Sequence, residues 1–83
     1  MFNLTQTEVS DLFAAIDMGW AKPVAAANFT HIDDFGEKAK EFTFYRLDNQ
    51  IYCMIYTNRT TVTEYKEVTG EDLEMFNIHY GEG

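Results

Sequence analysis

The spacing of apolar side chains changes once along this chain, and the change sets the class of fold open to it. Val9, Leu12, Phe13, Ile16 and Trp20 fall at i, i+3, i+4, i+7 and i+11, one stripe of a helix with about 3.6 residues per turn. From Phe42 onward the period is two. Residues 42–48, 51–57 and 60–68 are three β-rich runs. They are separated by Asp48-Asn49-Gln50 and Asn58-Arg59, turn sequences because Asn and Asp tolerate positive φ. A helical stripe followed by alternating runs predicts an α+β domain. Its N-terminal helix packs on a three-stranded antiparallel β-meander.

The ends of that helix are written locally. Thr5 is the N-cap, Glu8 three residues on closes a capping box, and Leu4 and Val9 are placed as a hydrophobic staple. Gly19 is placed to end the helix, and Pro23 stops anything running past Lys22. At the other end of the chain, Thr69 as N-cap with Asp72 three residues later, then Leu73, Phe76 and Tyr80 on one stripe, predicts a short C-terminal helix. Residues 23–40 read as a connector with one short helical piece. Within them Pro23 starts a turn or an extended stretch over Val24–Phe29, Thr30 opens a weaker cap, and Ile32 and Phe35 pair before Gly36. Residues 37–41 are charge-balanced and solvated.

At 83 residues the chain is one domain, 1–83, with a thin two-layer core. A 46% hydrophobic and 16% aromatic content excludes a disordered acidic tail. No apolar run approaches the ~20 residues of a membrane span, and the N-terminal residues do not read as a secretory signal. With the single thiol of Cys53, the expected compartment is the cytoplasm. The sequons at Asn3, Asn28 and Asn58 then read as chance.

Two-residue turns place Phe42, Phe44, Ile51, Cys53, Ile55 and Val62 on one face of the sheet and Tyr45, Leu47, Tyr52, Met54, Tyr56 and Tyr65 on the other. The N-terminal helix is expected on the Phe/Ile/Cys face. The Tyr/Met face is then left to the C-terminal helix or to nothing, and Tyr and Met are residue types enriched at interfaces.

Fourteen Asp and Glu against six Lys and Arg give a net charge of -8. Glu67, Glu71, Asp72, Glu74 and Glu82 follow one another with no Lys or Arg after Lys66, and Glu8 and Asp11 add to them. This balance repels nucleic acid and attracts a basic protein. The expected partner-binding set is Tyr45, Tyr52, Met54, Tyr56, Tyr65, Glu67, Glu71, Asp72 and Glu74. No nucleotide-binding, hydrolase or zinc-protease motif is present. His31, Asp33 and Asp34 form a polar loop lacking the paired spacing of a zinc site. Cys53, mid-strand, reads as buried packing.

These observations predict a non-enzymatic interaction protein without cofactor or metal. It docks on a larger basic protein, one that itself holds nucleic acid, and inhibits it. Compact, acidic, Tyr-rich domains of this kind resemble in style phage-encoded inhibitors of host defence, an analogy that carries over no residue. The alternative is a homo-oligomer, in the simplest case a homodimer, joined through the Tyr/Met face. A small-ligand binder or enzyme accessory with a pocket between Trp20 and the sheet is the third reading.

Overall fold

The computed structural model describes residues 2–36, 39–58 and 62–81. In chain order its elements are β1 (Phe2–Asn3), α1 (Gln6–Asp17), β2 (Lys22–Pro23), a 3-10 turn (Ala25–Ala27), β3 (Phe29–Ile32), β4 (Ala39–Leu47), β5 (Gln50–Thr57), β6 (Val62–Val68) and α2 (Gly70–Tyr80). The expected three-strand meander is the centre of a six-stranded antiparallel sheet ordered β1-β6-β5-β4-β2, with β3 also on the outer edge of β4.

The first central hairpin turns through Asp48 and Asn49. Leu47 pairs with Gln50, and Asp48 takes the left-handed backbone at φ 55, as such a two-residue turn requires. Residues 59–61, including Arg59 and the expected start of the third run, lie outside the described residues. The register puts Phe42 and Phe44 beside Ile55 and Cys53, and Tyr45 beside Tyr52. Val62 aside, the two expected side-chain sets are therefore the two faces of the sheet.

The helices cover these faces in the opposite sense to the expectation. α1 buries Leu12 and Ala15 against Tyr45, Leu47 and Tyr52. α2 lays Phe76 and Leu73 over Phe44, Ile51, Cys53 and Val68. The cause is topological. β1 pairs antiparallel with β6 and β2 with β4, so β1 and β2 run parallel and α1 is a crossover between them. The bond from the Leu4 N–H to the Tyr65 carbonyl fixes the hydrogen-bonding parity of β1. With L-residues, that parity makes a crossover on the tyrosine side right-handed, the hand such connections take in nearly all folds. The choice of face follows chain handedness, and α2 takes the remaining side.

Three further differences have local causes. α1 ends at Asp17. Gly19, at φ 78, closes it in a Schellman arrangement, its N–H donating to the Ile16 carbonyl and the Trp20 N–H to the Ala15 carbonyl. Trp20 therefore lies past the helix and is 65% exposed rather than core. Thr69 stands at the N-cap of α2, but its hydroxyl makes no capping bond; Gly70, at φ 60, makes the turn instead. The connector holds one 3-10 turn, and Thr30-His31 is a strand rather than a cap. The ring of Phe29 stacks on Phe42 at 4.4 Å, and the pairing of β3 extends β4 back to Ala39. Ala39, Lys40 and Glu41 are strand, with Lys40 and Glu41 still exposed to solvent; Glu37 and Lys38 lie outside the described residues.

Candidate functional site

The surface built by α1 concentrates the chemistry that this chain offers a partner. Its position is fixed at the N-terminus by a reciprocal cap. The Glu8 N–H donates to Thr5 Oγ1 at 3.2 Å, and the Thr5 N–H donates to Glu8 Oε1 at 3.1 Å. Leu4, Leu12, Ala15 and Ile16 hold the inner side on the sheet. Phe13 sets its ring edge-on against Tyr65, centroids 5.5 Å apart, yet stays 42% exposed. Phe2, on β1 beside Glu67, is 71% exposed.

Tyr52 lies half-buried beneath the first turns of α1 and donates its hydroxyl to Gln50 Oε1 at 2.8 Å. Its phenol is held above the ordinary value, first by burial and then by the carboxylates of Glu67, Glu8 and Asp11. Three acids from α1 and β6 thus act on one phenol.

The sign of charge divides across the sheet. On the α1 side stand Glu8, Asp11 and Asp17 of the helix and Glu41 and Glu67 of the strands, with no Lys or Arg among the described residues. Lys22 pairs with Arg46, Lys40 with Thr57 and Lys66 with Cys53, so these four cations share the α2 side. The same side carries Glu64 and the α2 acids Glu71, Asp72 and Glu74. Arg46 lies over the Phe76 ring, 5.9 Å from its centroid, and reaches Asn77 Oδ1 at 3.4 Å. Among the described residues the α1 side is one-signed and the α2 side mixed.

The expected partner-binding set is split by this arrangement. Tyr45 and Tyr52 are half-buried under α1, and Met54 and Tyr65 are half-buried beside it. Tyr56 is exposed beyond the end of the helix. Glu67 joins them on the tyrosine face. Glu71, Asp72 and Glu74 belong to α2 and lie across the sheet from the tyrosines. Glu82 lies outside the described residues. Phe2 was not legible in the sequence as part of a surface, since a two-residue strand has no period. Glu8 and Asp11 carried a signal in the capping pattern, but their closeness to Tyr52 depends on which face α1 takes.

The remaining candidates are placed differently. A shallow apolar cleft of about 270 Å3 lies on the α2 side, away from Trp20, lined by Phe44, Val68, Met75, Phe76 and Tyr80 together with Asp72 and His79. Cys53 is fully buried, and burial pushes its thiol up to about 11 against the opposing pull of Lys66. Among the described residues no group of three His, Cys, Asp or Glu side chains converges on one point, and no helix is long and apolar enough to cross a membrane. No family model, curated protein or solved structure matches this chain.

Proposed function

We propose that this chain is a non-enzymatic interaction module that docks on a basic surface of a larger protein through its α1 side. The observation supporting the reading is the one-signed flank: five carboxylates without a neighbouring Lys or Arg among the described residues, interspersed with exposed aromatic rings. Carboxylates of this kind pair with the Arg and Lys side chains that a nucleic-acid-binding protein turns toward phosphate. Occupying that surface inhibits the partner by exclusion. The rings of Phe2, Phe13 and Trp20 supply the desolvated anchors that such contacts require. The Tyr/Met face does not serve as a flat self-association surface in this reading, because α1 occupies the half of it that carries Tyr45 and Tyr52.

The test is a titration of isotopically labelled protein with a Lys/Arg-rich peptide, followed by amide chemical shifts. The expected result is a shift pattern centred on Glu8, Asp11, Glu41 and Glu67 that fades as salt rises, because exposed charges are screened beyond about 8–10 Å at physiological ionic strength. Shifts centred on α2, or spread without a centre, defeat the reading.

A further inference from the structure

Among the described residues β3 is a sheet edge without the usual protection. The other edges are blunted. β1 is two residues long, and β2 carries Pro23, whose missing N–H falls on its outward side. β3 presents four exposed residues, Phe29, Thr30, His31 and Ile32, and contains neither proline, lysine nor a break in register, the devices that keep natural edges from pairing.

The parity of the ladder says which backbone groups are open. The Asn58 N–H donates to the Ala39 carbonyl, so odd-numbered residues of β4 bond to β5 and even-numbered ones face outward. The Phe44 N–H and carbonyl, bonded to Asn28 and Val24, agree. Phe29 and His31, opposite Phe42 and Lys40, therefore direct their backbone groups into β4. Thr30 and Ile32 direct theirs away from the sheet, and nothing pairs with them among the described residues.

We propose that this edge pairs with β3 of a second copy, antiparallel about a two-fold axis passing between the two His31 residues. Thr30 of each copy then exchanges both backbone bonds with Ile32 of the other, using every outward donor and acceptor of the two residues. β3 ends at Ile32 and the chain turns at Asp33, whose carbonyl accepts the Gly36 N–H; Asp33, next in line, falls opposite Phe29 of the second copy rather than opposite its own counterpart. Phe29 (51% exposed), Ile32 (59%) and Phe35 (85%) bring the apolar surface. At about 200 Å2 per aromatic side chain, complete burial of these three and of the strand backbone sets an upper bound of roughly 900 Å2 in the pair. That lies below the ~1,200–2,000 Å2 of stable interfaces, so the dimer is weak and concentration-dependent. Each copy carries a charge of -8, and their repulsion is screened by salt, so association strengthens as salt is added. Docking on a basic partner has the opposite salt dependence.

Sedimentation equilibrium of the full chain from micromolar to roughly half-millimolar concentration, at low and high salt, tests this. The expected average mass climbs toward twice the monomer, and further in high salt. Thr30→Pro removes only an outward N–H and is expected to stay monomeric with an unchanged circular dichroism spectrum; Ile32→Lys, which puts a charge on the edge without touching the backbone, is expected to do the same. A wild-type chain that remains monomeric throughout overturns the proposal. So does association that weakens with salt, or a folded variant of either kind that associates as the wild type does.

Discussion

The backbone N–H of Phe44 donates to the side-chain carbonyl of Asn28 at 3.0 Å, and this bond closes the seam between β2 and β3 on the edge of β4. Val24 takes the Phe44 carbonyl on the same seam. The chain leaves the sheet for one 3-10 turn, and Asn28 stands in for the missing strand residue. A part-buried N–H without an acceptor costs about 1–3 kcal/mol. Asn28→Ala is expected to lower stability by that order in urea unfolding, and Asn28→Asp, which keeps an acceptor oxygen, to recover part of it.

The core beneath α1 separates residues that look alike on the helical stripe. Leu12 is fully enclosed between α1 and the sheet, and Leu12→Ala should cost about 2–5 kcal/mol through lost burial and the cavity left behind. Trp20 lies past the Schellman turn, exposed, and Trp20→Ala should change stability by no more than about 0.5 kcal/mol. Equal losses for the two variants in denaturant titrations would mean that Trp20 packs inside.

Much of the fold was legible where neighbouring residues repeat a pattern. The alternation through Phe42–Thr57 and the two-residue Asp48-Asn49 turn set the partition of the two faces, and Thr5, Glu8 and Gly19 set the ends of α1. The rest depended on contacts distant in sequence. Phe2-Asn3 and Lys22-Pro23 are too short to show a period, yet their pairing with β6 and β4 makes α1 a crossover and so decides which face it covers. Phe29-Thr30-His31-Ile32 is a strand because β4 pairs with it. The candidate site was legible as composition, tyrosine with acid, but not as position. The acids beside Tyr52 are Glu8, Asp11 and Glu67, whereas Glu71, Asp72 and Glu74 lie across the sheet.

Alkali should destabilise the protein through one buried and one half-buried acid. Burial pushes the Cys53 thiol from 9.0 up to about 11. Burial and then Glu67, Glu8 and Asp11 hold the Tyr52 phenol above 10.0. The folded state thus keeps both protons to higher pH than the unfolded chain does. The stability that Cys53 contributes is fully present below about pH 9 and falls as pH rises through about 11, because the unfolded chain ionises first; the contribution of Tyr52 is likewise lost in alkali. Urea midpoints measured under reducing conditions between these limits should fall. The slope should be shallower in Tyr52→Phe and in Cys53→Ala, whatever their stability at neutral pH. An unchanged slope in both variants would place the alkaline transition elsewhere.

Glu8 allows charge to be tested apart from folding. Its carboxylate accepts the Thr5 N–H and completes the cap of α1, a role glutamine fills as well. Glu8→Gln therefore keeps the helix start and removes one negative charge from the α1 side. If that side meets a basic partner, association should slow several-fold at low salt and approach the wild-type rate near half-molar salt, since rim charges act mainly on encounter and are screened there. Asp11→Asn should add to the effect. Glu71→Gln and Glu74→Gln, on the mixed-sign α2 side, should leave the rate within about twofold. Stopped-flow association of the four variants with the same basic partner, across a salt series, makes the comparison. A larger effect from the α2 pair than from the α1 pair would move the docking surface to the other side of the sheet, because net charge changes equally in all four and only position differs.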